Sequence, residues 1–202
     1  LVGSGNVRLD DPLLKGLAQP TGPFCVHADF PEEWLLDADP GTAARVHLAP
    51  GTMPLVEADR RRHGLRLAYT GEGLKCVLEV ALPEDSSASE WRLSVTNTGS
   101  EPRSVMVDFP WLDGVRLGQP GSHNLQTVLN QAGYVGDAWS HGGGIYGNGG
   151  QWSMQWHALF DPASRSALGL IVEDPEVLNK RLVLSEPSIT VRYFPPRTLR
   201  PG

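Results

Sequence analysis

A chain of 202 residues with 40% apolar and 20% charged side chains has a globular composition and is long enough to bury a substantial core. Its net charge of −6 argues against nucleic acid, whose phosphates need a clustered positive face, and no apolar run reaches the roughly 18 residues of a membrane span. The 23 glycines and 17 prolines are spread along the length, which favours short strands and many turns over helices. No signal peptide is visible. The chain starts in "LVGSGN" without methionine and stops in "TLRPG", so a fragment of a longer polypeptide is expected. The compartment stays open.

In chain order, "DFPEEWLL" near residue 30 is the one hint of a helical turn, and Arg60-Arg61-Arg62-His63 reads as a solvated turn between strands. Period-2 alternation then takes over. Leu65, Leu67 and Tyr69 alternate with Arg66 and Ala68, and Leu74, Cys76, Leu78, Val80 and Leu82 follow after "TGEG". Trp91, Leu93 and Val95 lead through Asn97-Thr98-Gly99 to Val105, Val107 and Phe109, the clearest predicted hairpin. A second hairpin joins "QWHALFD" to "LGLIVED" through Asp161-Pro162-Ala163-Ser164, and Ile189, Val191 and Tyr193 repeat the alternation near the end. This rhythm predicts an all-β fold with few or no helices, a large two-sheet antiparallel β-sandwich spanning 1–202 as a single domain. Within it, 118–150 is poor in aliphatics and rich in Gly, Asn and Gln, and is expected to be one long loop. Cys25 and Cys76 lack metal-type spacing; buried free thiols are the default, with a Cys25–Cys76 bond as the alternative.

The stretch "SHGGGIYGNGGQWSMQW", Ser140 to Trp156, admits several chemistries. His141-Gly142-Gly143-Gly144 looks like a lipase oxyanion loop, but that loop works beside a Gly-x-Ser-x-Gly elbow, and the chain has none. A phosphate cradle needs Gly-Lys-Ser/Thr and a following helix, both missing here. His141, His157 and Asp161, like His27-Ala28-Asp29, have no metal-ligand spacing, so neither metal nor cofactor is expected. Carbohydrate survives, because pyranose rings stack on aromatic faces while Asn, Gln and His fix hydroxyls. The candidate binding residues are Trp139, His141, Tyr146, Asn148, Trp152, Gln155 and His157. Met154, Trp156, Ala158 and Phe160 share one strand face and are expected in the core, with Gln155, His157 and Leu159 on the opposite face.

"WRLSVTNTGSEPRSVMVDFPWLDGVRLG", a Gly-rich loop, and "GGQWSMQWHALFDPASRSALGLIVED" together resemble the β-sandwich region of endo-α-N-acetylgalactosaminidase-like glycoside hydrolases and their relatives. The likeness covers about residues 91 to 174, with "ITVRYFPPRTLRPG" resembling the strand that closes that domain. It implies a galactose mutarotase-like supersandwich packed beside the (β/α) barrel that holds the paired catalytic carboxylates. Ser122-His123-Asn124-Leu125 lacks the aromatics of the mutarotase "H.YFNL"-like block, which argues against epimerase activity. Glycoside hydrolysis needs two carboxylates roughly 5 to 10 Å apart, and nothing pairs Asp108, Asp113, Asp137, Asp161, Glu173 or Asp174 in the sequence. The reading is a non-catalytic domain that supports an adjacent catalytic domain of the same chain and binds carbohydrate. The alternatives are an epimerase or lyase working on the concave sheet, and an interaction module without a ligand.

Overall fold

The computed structural model describes residues 22–31, 43–115, 117, 124–129, 133–137, 143–146, 152–174, 179–185 and 188–202. They form fourteen strands: β1 (Cys25–Ala28), β2 (Val46–Leu48), β3 (Leu55–Arg61), β4 (Gly64–Gly71), β5 (Leu74–Ala81), β6 (Glu90–Asn97), β7 (Arg103–Leu112), β8 (Asn124–Leu129), β9 (Gly133–Asp137), β10 (Gly143–Tyr146), β11 (Trp152–Asp161), β12 (Ser166–Ile171), β13 (Lys180–Ser185) and β14 (Ser188–Leu199). The fold is all-β, with antiparallel sheets in a sandwich-like arrangement. The chain divides into two compact units, 1–105 with 196–202 and 106–195. The segment read as a helical turn lies mostly outside the described residues; Asp29 and Phe30 at its start are not helical.

Unit 1 is a sandwich in miniature. β3, β4, β5 and β6 form an antiparallel meander, and β2, β1 and the start of β7 form the opposing sheet. The alternation of β5 puts Leu74, Cys76 and Leu78 fully inside, where Leu67 and Tyr69 of β4 meet them. Phe24 closes the layer from the other sheet, its ring edge-on to Tyr69 at 5.6 Å between centroids. Cys25 and Cys76 are both buried and are not joined in a disulfide. Burial first, and then the neighbouring Cys25, push the Cys76 thiol up to about 12, which makes it a packing group and not a nucleophile. The β3–β4 corner needs glycine at Gly64, where a Cβ would stand 2.4 Å from the carbonyl oxygen of Val80. The β4–β5 turn is made by Glu72 and Gly73 with φ of 48° and 72°. The outer face of the meander carries ion pairs, Arg66 with Glu57 and Glu79 and Arg61 with Asp59 and Glu79, which blunt the exposed edge strand β3. Of the basic run expected as a solvated turn, Arg62-His63 make the exposed turn while Arg60 and Arg61 belong to the end of β3.

The predicted β6–β7 hairpin does not form: β6 is the edge of the meander and β7 belongs to the opposing sheet. The connection is an arch held by Asn97, which is 1% exposed. Its side-chain NH2 donates to the carbonyls of Glu101 (2.7 Å) and Leu199 (3.0 Å), and its Oδ1 accepts from the Gly99 amide (3.0 Å). Asn97 thus supplies an Asx turn, and Gly99 does not need positive φ. Just beyond, Arg103 donates through Nε and Nη2 to both carboxylate oxygens of Asp29 (2.9 and 2.6 Å) and through Nη1 to the Glu72 carbonyl. That grip holds Asp29 at φ 60°, a conformation Asp tolerates better than most residues.

Unit 2 is built around the order β7-β14-β13-β10-β11-β8-β9, with β12 also paired to β11. β8, β9 and β10 run through the stretch 118–150 expected as one loop; β8 is laddered to β11, β10 to β13 and β9 to β8, which secures strands that a Gly- and Asn-rich sequence would not form by propensity. The core is Leu159, Val172, Leu182, Leu184, Ile189 and Val191, with Leu112, Val115, Leu168 and Leu170 packed against it. The β11–β12 hairpin forms as predicted, from Trp156↔Ile171 to Asp161↔Ser166. Asp161 accepts the amides of Ala163 (3.3 Å) and Ser164 (3.1 Å) to shape its turn.

Two outcomes are expected. Asn97→Ala takes the side-chain donor from the Glu101 and Leu199 carbonyls and lowers stability by about 1–3 kcal/mol in urea denaturation. The Arg103 hydrogen bonds, outweighing partial burial, hold the Asp29 carboxyl below its ordinary 3.8, with the charges of Arg103 and Arg45 adding to the effect. A depressed carboxylate stabilises the fold above its unfolded value and loses that contribution as pH falls through the lower folded one. The melting-temperature gap between wild type and Asp29→Asn, present at pH 7, therefore narrows below pH ~4.

Candidate functional site

Of the residues proposed to bind sugar, Trp139, His141 and Asn148 lie outside the described residues. Tyr146 ends β10 and Trp152 begins β11, and the two are direct partners in a parallel bridge. The pairing continues on both sides. Tyr193 of β14 faces Lys180 of β13, Lys180 faces Tyr146, and Trp152 faces Leu129 of β8. Five strands thus place Tyr193, Lys180, Tyr146, Trp152 and Leu129 in one transverse row.

The described side chains of that row form a charged cluster. Lys180 is 1% exposed, continuing the inward stripe of Leu182 and Leu184, and its ammonium donates to Asp174 at 2.6 Å. The same nitrogen sits 5.6 Å from the centre of the Tyr193 ring. Burial, and then the Asp174 carboxylate, push the Tyr193 phenol up to about 12. Sequence reading placed Asp174 among the unpaired carboxylates and Tyr193 in a strand alternation, but missed Lys180, which shares its alternation with Leu182 and Leu184 and could have been placed on the inner face.

Gln155 falls in the irregular part of β11, between Trp152↔Leu129 and His157↔Thr127, where β11 advances five residues while β8 advances two. Beyond this irregularity the faces of β11 are the reverse of the expectation. His157, Leu159 and Asp161 are buried, while Trp156, Ala158 and Phe160 are only partly covered. His157 faces a small apolar cavity lined by Leu159, Leu168, Leu170, Leu182, Leu184 and Ile189. The reversal has a packing cause: β12, β13 and β14 already supply a row of aliphatics inside, and Leu159 pairs with Leu168 to complete it.

The outward face of the β11–β12 hairpin is the second feature. Trp156 stands opposite Ile171, Ala158 opposite Gly169, and Phe160 opposite Ala167. Ile171 is 66% exposed, and among the described residues nothing lies within 4 Å of where a Cβ on Gly169 would stand. Two aromatic residues four positions apart, about 13 Å along a strand, flank a floor of alanine and glycine.

The carboxylates considered for catalysis have structural partners wherever their side chains are described, apart from the exposed Glu173. Asp108, with no exposed surface, receives Nε and Nη2 of Arg192 at 2.8 and 2.9 Å. Asp113 accepts from the Ser188 hydroxyl and the Gly114 amide, Asp161 shapes its turn, and Asp174 holds Lys180. Among the described residues no helix is long and apolar enough to cross a membrane. Comparison of the chain with protein-family models, curated proteins and solved structures returned no match.

Arg192→Met removes the bidentate guanidinium partner of the buried Asp108 carboxylate, and is expected to cost about 3–5 kcal/mol in urea denaturation. The double variant Asp108→Leu/Arg192→Met, which removes both charges, is expected to lose less than the single one.

Proposed function

We propose that this chain is a non-catalytic β-sandwich from a glycoside hydrolase-like protein, which binds carbohydrate and supports an adjacent catalytic domain. The observation that carries this reading is the open hairpin face of Trp156, Phe160 and Ile171 around Gly169. A flat, partly exposed aromatic surface with a recessed floor suits the apolar face of a pyranose ring, and an exposed apolar patch of this kind needs a partner. Engagement of the buried carboxylates in ion pairs and turns supports a domain that leaves hydrolysis to its neighbour. The likeness to the endo-α-N-acetylgalactosaminidase-like enzymes rests on the sequence blocks between residues 91 and 174.

A second reading, a sugar-active epimerase or lyase, is favoured by one observation: Lys180, Asp174 and Tyr193 gather a cation, a carboxylate and a phenol beside Tyr146 and Trp152. Such a trio can hold and move protons. Turnover of a glycan abolished by Tyr193→Phe would favour this reading over the first.

The test of the first is a glycan panel. Saturable binding is expected, weakened about tenfold or more by Trp156→Ala. Gly169→Val should keep the fold, since a β-branched residue suits a strand and no described residue comes within 4 Å of the added Cβ, while filling the floor and removing binding. Absence of binding to every glycan, or binding untouched by both substitutions, overturns the assignment of this face.

A further inference from the structure

His27 and His47 lie twenty residues apart in the sequence and directly opposite each other in the β1–β2 ladder. Their Nδ1 atoms are 2.9 Å apart, with ring centroids at 5.1 Å and planes at 79°. His27 is buried and His47 exposed, so the pair opens to solvent from one side. Two neutral imidazoles at this distance share one hydrogen, one ring donating and the other accepting.

The geometry points to a second use of this pair, as a two-imidazole chelate for a divalent transition-metal ion. Both strands are anchored independently of the ion: Arg45 donates its amide to the Ala28 carbonyl, and the Thr52 hydroxyl accepts from the Ala49 amide. The backbone positions that carry the two rings are therefore fixed in advance, and only the rings need turn. Metal–nitrogen bonds of about 2.0–2.1 Å spanning this separation subtend an angle of about 90°. That is the angle between neighbouring ligands of a tetragonal ion, copper(II) or nickel(II), whereas a tetrahedral zinc centre would want the nitrogens ~3.3 Å apart. Binding requires both Nδ1 lone pairs, so the donating ring must carry its hydrogen on Nε2 instead. If His47 is the donor, its exposed ring makes that exchange through water. No net proton is released from two neutral rings, and the ion replaces the shared hydrogen as the bridge between β1 and β2. Water completes the coordination on the open side.

Copper(II) alone, added to the full chain, is the probe, with nickel(II) and zinc(II) beside it. Electron paramagnetic resonance is expected to show one copper site with the coupling of two imidazole nitrogens, and the melting temperature to rise with metal. His47→Ala, a change at an exposed position, should weaken copper binding about tenfold or more and abolish both the two-nitrogen pattern and the thermal shift. His27→Gln should do the same, and His63→Ala should leave all three readouts unchanged. Copper bound equally well by a folded His47→Ala variant, a one-nitrogen spectrum in the wild type, or tighter binding of zinc than of copper would each overturn the assignment.

Discussion

The side-chain amide of Asn97 is where unit 1 changes sheets, and the local architecture hangs on it. A strand leaving one layer of a sandwich for the other exposes carbonyls that no ladder satisfies, and a buried carbonyl without a donor is costly. Asn97 answers with both of its amide hydrogens, one to the arch at Glu101 and one to the end of β14 at Leu199, while its oxygen closes the turn at Gly99. Its backbone oxygen also accepts from the Gly202 amide. One residue therefore fixes the exit from β6, the entry to β7 and the last strand. Arg103, six positions on, repeats the arrangement with charge, tying Asp29 to the tip of the β4–β5 turn.

Charge is used inside unit 2 in the same manner. Asp108 with Arg192, and Asp174 with Lys180, are ion pairs whose partners lie on different elements, so each makes one register distinct from its neighbours. Buried pairs add little net stability, because desolvation offsets most of the attraction, yet losing one partner is severe. This bears on the functional reading. A carboxylate held bidentately by arginine is a poor proton donor, whereas the Lys180 cluster, next to the row of Tyr146 and Trp152, keeps a phenol among charged neighbours.

The class of fold was legible because alternation is a local property: Leu74, Cys76 and Leu78 announce an inward face whatever they pack against. The β11–β12 hairpin was legible for a similar reason, since Asp161 carries its own turn chemistry. The β6–β7 connection was misread because an Asn-x-Gly turn with flanking strands looks alike whether the second strand returns to its own sheet or crosses to another. The faces of β11 were misread because Met154, Trp156, Ala158 and Phe160 make one strand face as apolar as a core face, and alternation alone does not say on which side the core lies. Interior space had already been taken by Leu168, Leu170, Leu182 and Leu184, so the aromatics were left on the outside.

Sequence by itself determined the all-β class, the strands of clear alternation and the β11–β12 turn, because backbone sterics and period-2 patterning act over a few residues. Only the tertiary structure decided which strands became neighbours, and with that every candidate site. His27 meets His47, Tyr146 meets Trp152 and Lys180 meets Tyr193 through register, and register depends on how distant segments satisfy one another's hydrogen bonds and fill a shared core. No short window of sequence contains that information, since the energy that selects it belongs to pairs of segments and not to either one.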